Sequence, residues 1–361
     1  MNKLISINKI KPIREGKVDD LFITASSFEE RCRRVPQLID DILCKNSIIF
    51  LYKDVRDDPI GNENTKYIYN ILKEASINKP EWLPCDFSDP YSILFEFCKW
   101  LKKKEEELEN CYISIDISCF TKLHLLLLLK YIGNKNKKGI IRFLYTQPLT
   151  YLPMHIRRKK LSYDLGERCF ISYVPHFVTN GKEALVIFLG MEGLRVNRIW
   201  EETDAEKTIL IRGKPGFTPE MEKLSERENE YLLSRVKYDP SFSCVDSSTL
   251  NPWNVVYTLE ELIVKKLKEE NFYTFYIAPC GTQLQTIGIY FFSQRIKDCK
   301  IVIAYFPPKK YAKPYSEGIR DTLSFYWVAS LASLDWPLFN LGIKGEVQRD
   351  KLYEEILFNR Y

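Results

Sequence analysis

Histidine is scarce in this chain: among 361 residues only His124, His155 and His176 carry an imidazole. No cysteine pair has C-x-x-C spacing, and none lies beside a histidine pair. Cysteine–histidine zinc sites need such clusters, so neither a metal nor a cofactor is assigned. The ten cysteines are irregularly spaced, which speaks against a secreted disulfide framework and for buried thiols in a reducing compartment. Long apolar runs are also lacking. A membrane span needs ~20 consecutive apolar residues, whereas Leu123–Leu129 is far shorter and reads as a buried helix. The opening Met1–Lys9 has no continuous apolar core of the signal-peptide kind. These absences predict a cytoplasmic protein without membrane contact. Charge of one sign is not in excess either: a net +5 is too little to make the whole surface a polyanion binder.

What is present is a soluble, core-rich composition, 45% apolar, 28% charged and 14% aromatic. The length suggests two domains. Apolar runs read as buried strands at Leu21–Thr24, Ser47–Tyr52, Cys111–Ile117 and Gly139–Thr146, and again at Ala184–Leu189, Lys207–Arg212, Phe272–Ile277 and Cys299–Phe306. Helical segments separate them, as in right-handed βαβ units with a mainly parallel sheet. The expected fold class is therefore α/β, with two tandem Rossmann-like lobes, each a three-layer unit around a parallel sheet. The expected domains are an N-terminal lobe over 1–178 and a C-terminal lobe over 179–361 that ends in a helical tail.

Landmarks recur in order between the halves. Arg31 and Arg195 lie 164 residues apart, Thr121 and Thr282 161, and Tyr145 and Tyr305 160. This drift of a few residues is the pattern expected of an internal duplication.

In an open parallel sheet, ligands bind beyond the carboxyl ends of the strands. Four loops qualify: Thr24–Arg31, Ile117–Lys122, Leu189–Arg195 and Ala278–Gln283. Each precedes a helix, whose N–H groups and dipole favour an anion. None matches G-x-G-x-x-G or G-x-x-x-x-G-K-[ST], which argues against a standard dinucleotide or P-loop site. Hydroxyl donors are Ser26, Ser27, Ser118, Thr121 and Thr282, with capping of the local helix as their competing role. Lys122, Arg31 and Arg195 add positive charge, and Gly281 and Gln283 complete the ligand-binding set. Asp116, Glu30 and Glu192 are the candidate carboxylates for catalysis, though local capping or pairing with Arg31 and Arg195 competes for them. His124 sits in an apolar helical pattern and reads as a packed side chain. Basic residues follow the last strand of each half, Arg157–Lys160 in one and Lys309, Lys310 and Lys313 in the other. Tyr151, Tyr311 and Tyr315 lie among them, a combination able to stack bases and neutralise phosphates.

The strand ending in Thr24-Ala25-Ser26-Ser27, and the later strand ending in Asp116-Ile117-Ser118-Cys119-Phe120-Thr121-Lys122, resemble the Rossmann-like sensor domains of the CARF and SAVED group of bacterial antiviral systems. The second loop is similar to that group's D-x-[ST]-x-G-x-K loop, with Phe120 where glycine is expected. The other half keeps Gly281-Thr282 but has Gln283 in place of lysine. The resemblance spans about residues 20–175 and 183–320. It implies a nucleotide or other phosphate-bearing small molecule held between two paired units, in a sensor or partner subunit whose output passes to an effector protein or arises through homo-oligomerisation. A nucleotide hydrolase or nucleoside glycosidase acting in the same cleft, and a non-catalytic scaffold, are the alternatives.

Overall fold

The computed structural model describes residues 4–151, 162–175, 181–296, 298–311, 313 and 315–328. Strands β1 (Ile5–Ser6), β2 (Asp19–Ala25), β3 (Cys44–Tyr52), β4 (Glu81–Cys85), β5 (Tyr112–Asp116) and β6 (Ile140–Tyr151) come first. Two short strands follow, β7 (Ser162–Leu165) and β8 (Cys169–Val174). The second half supplies β9 (Lys182–Phe188), β10 (Lys207–Gly213), β11 (Phe242–Ser247), β12 (Phe272–Pro279) and β13 (Lys300–Tyr305). The crossing strands β14 (Pro308–Tyr311) and β15 (Ser316–Val328) come last. The fold is α/β with two largely parallel sheets, as the alternation of strand and helix patterns predicted.

Both sheets share one strand order. Five parallel strands run β6-β5-β2-β3-β4 in the first and β13-β12-β9-β10-β11 in the second. In each, the first and fourth of the five parallel strands in chain order, β2 and β5 or β9 and β12, lie side by side at the centre. That junction is the topological switch point, where connections leave on opposite faces and open a crevice. The four loops singled out in the sequence follow β2, β5, β9 and β12, so all of them sit at switch points.

The outer strands are exchanged. β8 follows the first half in the chain but pairs antiparallel with β13 of the second sheet. β15 follows the second half but pairs antiparallel with β6 of the first, and β1 pairs with β15 beyond it. The two crossing segments meet as a small antiparallel ladder, β7 on β14, with Pro308 opposite Leu165. The two parallel cores occupy Asp19–Tyr151 and Lys182–Tyr305 of the chain, and the exchange sends one antiparallel strand of each half to the other sheet.

Strands β4 and β11 were not legible as strands. Both are edges, and an edge tolerates the proline of Glu81-Trp82-Leu83-Pro84-Cys85 and the polar run Phe242–Ser247.

The helices that position the site are α1 (Pro59–Ala75), α2 (Ser92–Lys104), α3 (Lys122–Lys135), α4 (Gly193–Glu201), α5 (Pro219–Glu228), α6 (Glu230–Arg235), α7 (Pro252–Leu259) and α8 (Gln283–Ser293). Helices α5 and α6 are separated by the single residue Asn229. Its side chain donates to the Gly190 and Ser225 carbonyls, both at 2.7 Å. Helix α2 stops at Lys104, where Glu105 adopts a left-handed conformation with φ 55°.

A helix that is apolar all round must be buried on all sides. Residues Leu123–Leu129 of α3 and every residue of α8 are buried, and the two helices pack against each other between the sheets. Gly133 of α3 faces the Tyr290 hydroxyl of α8 so closely that a Cβ there would lie 2.3 Å from it. Around this contact Phe291 stacks on Trp253 and Trp327, with centroids 4.7 and 4.6 Å apart, and Phe143 meets Phe291 edge-on. Residues of both lobes thus share one core. The expected helical tail, His155, His176 and the run Arg157–Lys160 fall outside the described residues.

Candidate functional site

The loops of the two switch points close on one cavity of about 130 Å³ between the lobes. Ser26, Ser27, Arg31, Thr121 and Lys122 line it from the first lobe, and Glu192, Arg195, Gly281, Thr282 and Gln283 from the second. The backbones of the second-lobe loops nearly touch: a Cβ on Gly190 would lie 1.9 Å from the Cys280 carbonyl oxygen. No side chain fits there.

Thr121 and Thr282 cap the two buried helices at the cavity edge. Thr121 Oγ1 accepts from the His124 N–H, and Thr282 Oγ1 from the Gln285 N–H, the latter in a reciprocal capping box. The residue after each cap crosses to the other lobe. Lys122 Nζ donates to the Cys280 carbonyl at 3.5 Å, and Gln283 Nε2 donates to the Phe120 carbonyl. Two helix N-termini with their uncompensated dipoles therefore open on one space.

Each lobe also brings a buried glutamate–arginine pair from the loop after its first strand. In the first lobe Arg31 donates through Nε and Nη2 to Glu29 Oε2 and Oε1 at 2.9 and 3.2 Å, and through Nη1 to the Thr146 carbonyl at 3.4 Å. Ser316, the first residue of the exchanged strand β15, donates its hydroxyl to the same Glu29 carboxylate. In the second lobe Arg195 uses only Nη1, 3.0 Å from Glu192 Oε2 and 2.6 Å from the Tyr305 hydroxyl. Its Nε and Nη2 are buried without a partner, as are Glu192 Oε1 and Gln283 Oε1. Burial alone would lower the pKa of both arginines, but Glu29 and Glu192 override it and hold them above the ordinary value.

Charge balances across the cavity, with Arg31, Lys122 and Arg195 set against Glu29, Glu192 and Glu222. Burial, and then the neighbouring Arg195, push Lys122 down to about 8.

One wall is aromatic. Tyr52 stacks on Phe87 at 4.2 Å and 15°, and Phe87 meets Tyr311 edge-on at 5.5 Å. Tyr311 then meets Tyr315 at 5.2 Å, and Tyr315 meets Tyr151 at 5.8 Å. All five rings line the cavity. Tyr151, Tyr311 and Tyr315 belong to the ends of β6 and β14 and to the turn before β15, so the exchanged segments build this wall. Lys313 is bonded to Asp58 at 2.6 Å rather than turned inward.

Three candidates from the sequence lie elsewhere. Asp116 is buried outside the cavity, its carboxylate accepting from Ser118 N, Ser118 Oγ and Thr24 Oγ1 at 3.0, 2.5 and 3.1 Å. Ser118 is spent on that bond and on accepting from Thr146 N at 2.9 Å. Glu30 is exposed and does not line the cavity. Burial pushes Asp116 up to about 6, and its three donors only partly offset that cost. His124 is a packed side chain: Nε2 faces the Asp89 carbonyl at 2.9 Å, Nδ1 faces Thr121 Oγ1 at 2.7 Å, and burial lowers its pKa. Cys119 and Cys280 line the cavity, but burial raises both thiols, Cys280 to about 11, so neither is a ready nucleophile.

Sequence reasoning missed Tyr52, Phe87 and Phe217 as lining residues. Tyr52 ends a buried strand next to the first switch point, and that position was the available signal. Phe217 follows a turn whose path nothing local dictates. Among the described residues no helix is long and apolar enough to cross a membrane, and no cluster of His, Cys, Asp and Glu is suited to a metal. No protein-family model matches the chain, and no curated protein matches it at a significant level.

Proposed function

We propose that the chain is a nucleotide sensor, or the nucleotide-binding subunit of a bacterial antiviral system, holding one ligand between its two lobes. The carrying observation is the mutual reach of Lys122 and Gln283, because it joins both switch points in a single cavity. Two helix N-termini suit a phosphate, and the wall from Tyr52 to Tyr151 suits a planar base. Buried acceptors on Glu192 and Gln283 suit hydroxyl or amino donors. On this reading the lobes descend from one duplicated unit. The CARF- and SAVED-like loop pattern supports the antiviral setting, with signal passed to a partner protein in the cytoplasm or through self-association.

Thermal shift against a panel of nucleotides and nucleosides, followed by product analysis, tests this. A ligand at ~100 times its Kd stabilises by about 2.7 kcal/mol, a readily measured shift. Stabilisation without turnover is the expected result, and no stabilisation by any member sinks the reading in favour of a scaffold. The free Glu192 oxygen supports a second reading, a hydrolase or glycosidase with Glu192 as base. Turnover that disappears in Glu192→Gln would establish it.

A further inference from the structure

The two glutamate–arginine pairs are alike in chemistry and unlike in state. A guanidinium presents its Nε and Nη2 hydrogens along one edge, the geometry that grips two oxygens of a carboxylate or phosphate together. In Arg31 that edge is filled by both oxygens of Glu29. In Arg195 the glutamate sits on Nη1 instead, and the Nε–Nη2 edge has no partner although the residue is only 2% exposed. A buried donor left unmet keeps the full cost of its lost hydration, so two on one charged group are a strong demand for oxygen acceptors. The Arg195 ring contact with Tyr305 and the bond to its hydroxyl hold the guanidinium in place. The fork does not have to be ordered when a ligand arrives.

We propose that Arg195 is the receptor for a single phosphoryl group, so the cavity takes one nucleotide in one orientation, phosphate on the C-terminal lobe. This rests on the nucleotide reading of the cavity and narrows it. A ligand with twofold symmetry would need matching edges on both arginines, and Arg31 has none to offer. Size agrees: a cleft of about 130 Å³ is near the ~150 Å³ of an engineered cavity that holds one benzene. One phosphate or one ring fits inside, and the rest of the ligand lies along the tyrosine wall toward the mouth. Glu192 Oε1 and Gln283 Oε1, both unpartnered, then receive its hydroxyl or amino hydrogens.

The test uses the full chain with 5′-mononucleotides, the matching nucleosides and inorganic phosphate, read by calorimetric titration and thermal shift. Wild type is expected to bind one mononucleotide per chain, roughly tenfold or more tighter than its nucleoside, with inorganic phosphate competing. Arg195→Lys keeps the charge but loses the edge, and should erase the preference for nucleotide over nucleoside. Arg31→Lys should keep that preference. Should Arg195→Lys fold poorly, Arg195→Gln/Glu192→Gln leaves no lone buried charge and carries the same comparison. Equal binding of nucleotide and nucleoside by wild type, or equal loss of the preference in both lysine variants, overturns the proposal while leaving the nucleotide reading intact. Failure of every nucleotide and nucleoside to bind sinks both.

Discussion

Lys122 and Gln283 stand at the same place in the two lobes, one residue past a capping threonine, and each bonds a carbonyl in the other lobe's loop. The relationship makes each loop a part of its partner's wall. Gln283 is the tighter of the two links, since its side chain is buried and the Phe120 carbonyl it serves is buried with it. Gln283→Ala therefore leaves a buried acceptor unmet and should cost about 1–3 kcal/mol. Urea unfolding measures the loss, and hydrogen exchange should show faster opening of the 117–122 loop. A variant as stable as wild type would mean that the link contributes nothing to lobe docking.

Lys122 gives the cavity a pH dependence whose sign can be fixed. Its ammonium is held down to about 8 by burial and by Arg195 and Arg31, with Glu192 and the Cys280 thiol group acting in the opposite direction. A bound phosphate favours the charged amine and raises that value. Binding then takes up a proton at pH values above about 8, so affinity is highest below 8 and falls as pH rises through it. Calorimetry in buffers of different ionisation enthalpy detects the proton. Lys122→Met should weaken binding at neutral pH and flatten the profile; an unchanged profile would assign the titration elsewhere.

Asp116 tests whether its loop is chemical or structural. Its carboxyl is raised by burial to about 6 from an unfolded value near 3.8. The folded state holds this proton more tightly, so the associated stability is complete below about 3.8 and is lost as pH rises through 6. Asp116→Asn keeps the acceptor for Ser118 and removes the buried charge. The variant should match or exceed wild type by on the order of 1 kcal/mol at pH 7.5 and lose that advantage near pH 4. Nucleotide binding should persist, since the residue lies outside the cavity. Loss of a turnover activity in this variant would instead revive it as a catalytic base.

The parallel cores were legible because their strands are continuous apolar runs such as Ile48–Tyr52 and Ala184–Phe188, a signal that survives without tertiary context. The matching helix caps at Thr121 and Thr282 were legible for the same reason, as a polar loop before an apolar helix. What the sequence concealed depends on pairing. Nothing local in Cys169–Val174 or Ser316–Val328 says that each strand joins the opposite sheet, and the antiparallel partner alone decides it. The local cap that Asp116 forms with Ser118 was among the roles the sequence offered; the bond from Thr24, 92 residues earlier in the chain, was not. That last bond follows from the register of β2 against β5.

The closeness of α3 and α8 sets the distance between the lobes, and Gly133 is where it can be tested. A methyl group at this position would meet the Tyr290 hydroxyl oxygen at 2.3 Å, within a core whose neighbouring rings, Phe291 and Trp327, leave the tyrosine little room to move. Alanine is the better helix former by about 1 kcal/mol, so propensity alone predicts that Gly133→Ala stabilises. Overpacking in a close-packed core typically costs about 1–3 kcal/mol, and at this separation the steric effect should win. Gly133→Ala is thus expected to destabilise in urea. Tyr290→Phe removes the clashing oxygen, which is buried and unpartnered, and should be near neutral or stabilising by itself. In the double variant Gly133→Ala/Tyr290→Phe most of the loss should return, giving a coupling of about 1 kcal/mol or more in a double-mutant cycle. Additive effects would mean that the helices separate to admit the methyl group. In that case the variant should also weaken nucleotide binding, because both capping threonines ride on the helices that moved.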